Sequence, residues 1–455
     1  MLTGIRPRHH CLTAKKRIAV RDLAVLGFML VLVPLAFSHA YLAYLLWCWA
    51  GLVSLNSYLY GPMAGVPYVQ VFALIGLVLL FVSKDKHRLK WEPNSTSIVF
   101  IFIMLHGLLS ATFAYPGLDR NWELYTNVAK TLLFCLLMPM LASNRLRLYA
   151  LVLVIILSLG FHGVLEGLKF VASGGAHLTK GIQKFGDNNH FAMVLVMVLP
   201  LILYVYKYAI NKIVRVGCIT SFCIICLAVI STNSRGGLLG LVAVALFLVM
   251  HSKRKVLGIL SILFVASVML AMAPQSWTSR MESIKEAEQD SSFMGRVTAW
   301  KRASAIAVEN PILGGGYHAG QAPSIYYQFR DKPGILGFID TPPSYYPAAT
   351  HSIYFEILGD LGFLGLFLFL ASLIISYRNF KKIQALTQEK AIELAWANDL
   401  SVALMAALLA FMVCGAALSA AYFEIPYILI MLMEALKQQV LRDLNLTAQR
   451  KVLRA

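Results

Sequence analysis

IVRVGCITSFCIICLAVIS (213–231), TNSR (232–235), GGLLGLVAVALFLVMH (236–251): two apolar runs on either side of a short polar break decide the fold class. Each run is close to the ~20 residues that a helix needs to cross a bilayer core of ~30 Å. Neither alternates with period two, as a membrane β-strand would. A helix satisfies its backbone hydrogen bonds within the segment, which hydrocarbon demands. The break between the runs carries Arg235, a cation placed where a span meets water.

Runs of the same kind extend in both directions. They lie near 21–37, 40–58, 67–83, 96–114, 125–142, 147–165, 189–206, 256–272, 351–377, 399–421 and 425–437, beside the two already quoted. With 59% hydrophobic and 14% charged residues the chain lacks the polar surface of a soluble globule. The net charge of +18 does not point to nucleic acid, because the basic residues fall in short clusters between apolar runs. These are Arg6–Arg21, Lys84–Lys90, Arg145 with Arg147, Lys207–Arg215, Lys253–Lys255, Arg378–Lys390 and Lys437–Arg454. By the positive-inside rule they mark the cytoplasm. Six of the seven cysteines sit in apolar runs, so neither a disulfide framework nor a metal cluster is expected.

Threading backwards from the basic C-terminus alternates the last ten segments and leaves every basic cluster from residue 84 onward inside. A cytoplasmic N-terminus then requires 21–58 to make one crossing plus a broken or re-entrant piece. The expectation is an all-α, polytopic integral membrane protein with about 12 transmembrane helices; thirteen with an outside N-terminus is the second reading. Its parts are a basic tail at 1–20, helices across 21–272, a periplasmic loop at 273–350, further helices at 351–437 and a basic tail at 438–455. Charges and the lack of a small-residue cleavage site set 1–20 apart from a signal peptide. The threading puts 115–124, 166–188, 232–235, 273–350 and 422–424 outside. In the large loop Met294, Val297, Trp300, Ala303 and Ala307 recur at helical spacing, so an amphipathic helix near 292–308 is expected on the membrane surface. Asn310-Pro-Ile-Leu-Gly-Gly-Gly-Tyr-His-Ala-Gly ends it and must be irregular.

Several residues at the outer face have two readings. Arg235 either anchors to lipid phosphate or clamps a diphosphate bidentately, with Gly236 and Gly237 letting the anion approach the backbone. Arg296 opens the loop helix beside Lys301 and Arg302, which together make an ordinary charged face. His351 begins the span after the loop, as an interfacial residue or as a base set near neutral pH. Lys130 lies inside an apolar run, where an ammonium costs ~2.5–3.5 kcal/mol toward the centre and therefore faces a cavity or an anionic partner. Gly186-Asp187-Asn188-Asn189-His190 opens another span with side chains suited to sugar hydroxyls; helix capping by Asp187 or Asn188 is the plainer reading. His318 is the second candidate base. Glu356 lies about 140° around an ideal helix from His351 and braces the loop more readily than it orients the imidazole. The loop carboxylates Glu282, Glu286, Glu288 and Asp290 read as a charged helix face without an Asp-x-Asp pair for a cation.

The Arg235-Gly junction, a large loop holding Gly295-Arg296 and Trp300, His351 to Glu356, and then Gly359-Asp-Leu-Gly-Phe-Leu-Gly together resemble the bacterial O-antigen ligase family. The similarity includes Asn127-Val-Ala-Lys130 and covers roughly residues 120–375. The N-terminal third and Gly186-Asp-Asn-Asn-His look more like the O-glycosylation ligases of exosortase systems in the same superfamily, which leaves the acceptor open. The resemblance implies an inner-membrane transferase that moves a polysaccharide from undecaprenyl diphosphate to the lipid A core oligosaccharide at the periplasmic face, with no nucleotide sugar, metal or other cofactor. His351, Arg235 and Arg296 are then the catalytic candidates, and Lys130, Asp187, Asn188, Asn189, His190, His318 and Glu356 the substrate-binding ones. An O-antigen polymerase, a protein O-oligosaccharyltransferase and a lipid-linked glycan transporter are the rivals.

Overall fold

The computed structural model describes residues 9–59, 62–82, 85, 88–181, 185–256, 258–260, 263, 267, 291–343, 345–388 and 392–452, with side chains described outside 9–21, 291–292 and 446–452. Most of the 256–272 run and the carboxylates Glu282, Glu286, Glu288 and Asp290 lie outside the described residues. Among those described, the regular structure is helical, with no strand. The helices are α1 His9–Ala36, α2 Ala40–Val53, α3 Tyr68–Val82, α4 Ser95–Thr112, α5 Asn121–Leu141, α6 Arg145–Ala172, α7 Asn188–Tyr208, α8 Lys212–Ser231, α9 Arg235–His251, α10 Ser291–Glu309, α11 Pro323–Phe329, α12 Ile353–Gln388, α13 Ala395–Gly415 and α14 Glu424–Val452. Seven of them, α4 to α8, α12 and α13, are long and apolar enough to cross a membrane, and four more apolar helices are shorter.

Their boundaries follow from polar residues at the starts of the apolar runs. Asn94, Asp187, Asn211 and Ser234 each accept a backbone N–H from the first turn of α4, α7, α8 and α9, satisfying donors that a helix start leaves open. The chain divides into two compact units, one from residues up to 89 with 141–159, the other from 90–140 and 160 onward.

In the first unit α2 packs along α3. The 21–58 stretch is a pair of helices joined at Phe37–His39, and α2 stops after 14 residues at Ser54, whose φ is 54°. At 1.5 Å per residue α2 covers about 21 Å, short of a full crossing. Arg147 lies over the Tyr41 ring and donates to both oxygens of Asp85 at 3.0 and 2.8 Å.

In the second unit α7 is apolar all round and buried along nearly its whole length by α8, α9 and α13. Small residues let the helices close up: a Cβ on Gly237 would come within 2.6 Å of the Ala192 methyl. The apolar part of α14 is likewise interior. Helix α10 appears where the periodicity predicts it. Its stripe faces protein rather than lipid, however: Val297, Ala303 and Ala307 are buried, Trp300 stacks on Phe355 at 5.1 Å, and α10 packs on α12.

Helix α12 is broken at Gly362 (φ 70°, ψ −171°). The break frees backbone groups that must find partners inside the protein. The glycine-rich loop after α10 provides most of them. The N–H groups of Gly315 and Gly316 donate to the carbonyls of Gly359 and Asp360, both at 2.9 Å, and Phe363 N–H donates to Pro311 O at 2.8 Å. From α4, Ser110 donates to Asp360 O at 3.1 Å, and His106 Nε2 meets Leu361 O at 2.9 Å. Gly314 (φ 68°) must be glycine here, since a Cβ would sit 2.5 Å from the Asp360 backbone.

The segments that the threading groups on one side do gather at one end of this unit. Tyr115 N–H donates to Gly315 O at 3.1 Å, Thr179 N–H to Ser231 O at 2.8 Å, and Asn188 Nδ2 to Thr232 O at 2.6 Å. The other end carries Lys207, paired with Asp399 at 2.6 Å, and Lys437.

Candidate active site

Two histidines stand at the gathered end on a backbone that residues with a Cβ rarely adopt. The described non-glycine residues with positive φ are Ser54, Asn233, His318 and His351, and the last three lie at this end. Such conformations cost on the order of 1–3 kcal/mol each and persist only where the surroundings fix them. The fixing contacts are explicit for His351 (φ 45°). Its N–H donates to Ser419 Oγ at 2.8 Å, and the carbonyl of the preceding Thr350 accepts from Trp300 Nε1 at 2.7 Å. Arg302, almost fully buried beneath this segment, donates to Ala348 O and lies over the Tyr326 ring.

His318 (φ 60°) is seated on α12. Its N–H donates to Asp360 Oδ2 at 2.8 Å, and its Nε2 lies 3.5 Å from Glu356 Oε1. Both carboxylates are buried, and a spacing of four residues puts them on one helix face. Glu356 also accepts the Ala421 N–H at 2.9 Å, and Asp360 accepts Tyr422 OH at 2.8 Å. Glu356 thus braces two loops and is aimed at His318; the angle of an ideal helix does not apply to His351, which precedes α12 on a positive-φ backbone.

Asp187 is the N-cap of α7. Its Oδ1 accepts the N–H groups of Asn189 and His190 at 2.9 Å and lies 2.8 Å from His190 Nδ1. His190 Nε2 in turn lies 2.9 Å from Ser419 O, so α7 and His351 share Ser419 as a neighbour. Asn188 ties α7 to the α8–α9 junction, and Asn189 Nδ2 is 3.4 Å from Asn188 Oδ1. Arg235 is the first residue of α9 at that junction and is half-buried; a Cβ on the neighbouring Gly236 would meet Ser234 Oγ at 4.0 Å. Gly237 is taken up by packing against Ala192 and by its N–H bond to Ser234 Oγ at 3.0 Å. Lys130 is exposed on α5, and no hydrogen bond or ion pair among the described residues joins it to this cluster.

The electrostatics separate the two histidines. Burial and then the Arg296 guanidinium hold His351 below the ordinary imidazole range, which leaves it neutral near pH 7. Burial also opposes the charge on His318, but the hydrogen bond to Glu356 and the charges of Asp360 and Glu356 outweigh it and raise His318. Burial pushes the Tyr422 and Tyr317 phenols up, so both stay protonated. No three His, Cys, Asp or Glu side chains among the described residues are arranged as metal ligands. The face therefore holds a neutral histidine beside an arginine, and a second, more basic histidine on two buried carboxylates.

Sequence reading assigned no role to Ser419 or Tyr422, carried Asp360 only within the Gly359-Asp-Leu-Gly-Phe-Leu-Gly stretch, and put Arg302 on a charged helix face, whereas Arg302 is almost fully buried. A further signal for Asp360 was its spacing of four residues from Glu356 in an otherwise apolar span.

Residues 219–370 match a family model described as O-Antigen ligase. Residues 20–210 match one described as Family of unknown function (DUF5935). None of the curated proteins matches the chain. The first match contains Arg235, Arg296, His318, His351, Glu356 and Asp360; Lys130 and Asp187–His190 fall in the second.

Proposed function

We propose that this multi-pass membrane protein, whose 219–370 segment is of the O-antigen ligase family, is a glycosyltransferase that moves a polysaccharide from undecaprenyl diphosphate to the lipid A core oligosaccharide at the periplasmic face of the inner membrane. The observation that carries the reading is His351: neutral, fixed in a strained backbone, and under the charge of Arg296, within the matched segment.

In the proposed step the His351 lone pair takes the proton of an acceptor hydroxyl. That oxygen attacks the anomeric carbon from the face opposite the diphosphate, the bond to the diphosphate oxygen breaks, and the configuration inverts. The departing electron pair rests on the diphosphate, whose charge Arg235 and Arg296 meet. His318, with Glu356 and Asp360, holds the glycine-rich loop beside the reacting groups.

A broken helix is also a mark of transporters, which coordinate ions with the freed backbone. Here the freed groups of α12 are occupied by the glycine-rich loop, His106 and Ser110, which favours chemistry over transport.

Purified protein given lipid-linked glycan with, separately, lipid A core, a peptide or more donor tests the acceptor. Growth of lipid A core is expected. Growth of the peptide or of the donor chain replaces this reading with protein glycosylation or polymerisation.

A further inference from the structure

The imidazole of His190 has an oxygen on each nitrogen: Asp187 Oδ1 at 2.8 Å from Nδ1 and the Ser419 carbonyl at 2.9 Å from Nε2. A backbone carbonyl can only accept, so Nε2 must carry a proton. Asp187 already accepts two N–H groups of the first turn of α7, at the positive end of the helix dipole. Burial opposes its charge, but these bonds and the His190 ring outweigh it and hold the carboxyl well below the usual range. An ionised carboxylate also only accepts, so Nδ1 must carry a proton as well.

We infer that His190 stands as an imidazolium, a third fixed cation of the reaction face beside Arg235 and Arg296, and that its charge keeps His351 neutral and able to accept a proton. The inference rests on His351 being the base, and it gives the Asp187–His190 turn an electrostatic task in place of hydrogen bonding to sugar. The charged groups acting on the pair come from several elements: Asp187 from its own turn, Glu356 from α12 and Arg296 from α10; Arg235 opens α9, which packs on α7. The charges of His190 and Arg296 push the His351 equilibrium toward the neutral ring, and those of Asp187 and Glu356 push it back. Burial, first among the causes, and the two cations prevail.

Two readouts test this. In the purified protein with ¹⁵N-labelled histidine, the ring absent from the His190→Gln spectrum should keep protons on both nitrogens at pH 8; a single proton there overturns the inference, whatever the enzyme's activity. In the pH profile of transfer, His190→Gln removes a cation and should move the acid limb upward by half a unit or more. Asp187→Asn removes an anion and, if His190 then loses its proton, a cation too, so its limb should not rise. An unshifted limb in a folded His190→Gln protein, or a rise in Asp187→Asn, contradicts the role assigned to the charge. Loss of transfer in wild type with every acceptor would instead remove the transferase reading and leave the protonation result standing.

Discussion

Both ends of the second unit bury a carboxylate among polar side chains, yet only one end is complete. Glu434, fully buried, accepts from Thr96 Oγ1 at 3.0 Å, Asn379 Nδ2 at 2.7 Å, Lys437 Nζ at 2.7 Å and Gln438 Nε2 at 3.2 Å. Its charge is matched by one lysine and its lone pairs are used. At the His351 end, Glu356 and Asp360 are as deeply placed, but they hold two loops and a histidine instead of closing on themselves. The difference is that between a buried ion pair that fixes helix register and a polar cluster whose outer members, His351, Arg296 and Arg235, are left half-buried at its edge. Substitutions should therefore separate stability from activity according to the end they touch.

The largest contrast is expected from His351→Ala. A general base contributes ~10²–10⁴-fold to rate, so transfer should fall by that much while donor affinity and thermal unfolding stay near wild type. Wild-type turnover at saturating acceptor would move the base elsewhere, with His318 next. Arg235→Ala and Arg296→Ala should each weaken turnover about 10- to 100-fold, the worth of a charged hydrogen bond, and should weaken donor binding as well. Arg235→Lys should recover part of the loss, because it keeps the charge and loses the fork.

Arg296→Ala should also change the pH profile in a definite direction. His351 lies below the ordinary imidazole value of ~6.5, so the acid limb of transfer should lie below that pH. Removing the guanidinium raises the His351 pKa and moves the limb up; a limb that moves down excludes this pairing. At the other end, Lys437→Ala strands a buried carboxylate at a cost of ~3 kcal/mol, read as a lowered unfolding midpoint in detergent, with turnover per folded molecule unchanged. Reduced turnover with unchanged stability would show the two ends to be coupled. The smallest effect should come from chelation: excess EDTA leaves transfer intact if arginines meet the diphosphate charge, and inhibition reversed by magnesium would break that assignment.

The spans were legible because hydrophobic length and capping residues are local signals. The runs at 96–114, 189–206, 213–231 and 236–251 became α4, α7, α8 and α9 within two residues at each end. Periodicity also placed α10 but could not say whether its apolar stripe met lipid or another helix, since both are equally apolar. His351, Arg235 and Arg296 could be picked out as charged or titratable groups at span ends. The partners that seat the histidines could not: Ser419, on His351 N–H, and Tyr422, on the Asp360 that holds His318, come from a short connection over 60 residues further on, and nothing in their local sequence announces the contact. Asp187 and His190 were read for sugar hydroxyls or, more plainly, for helix capping; Asp187 is the cap, and three-residue spacing at a helix start also turns it upon the His190 ring. The helix count of about twelve is not established by the seven described helices that meet the length and hydropathy of a span.

The whole account requires the two ends to face different compartments. Single cysteines at Ser324 and Asp340 near the His351 end, and at Lys382 near the other, occupy exposed positions and can be introduced into a cysteine-free background. With a membrane-impermeant thiol reagent applied to cells with a permeabilised outer membrane, Ser324→Cys and Asp340→Cys should label and Lys382→Cys should not. Labelling of Lys382→Cys, with Asp340→Cys protected, would turn the reaction face to the cytoplasm and contradict the proposed transfer.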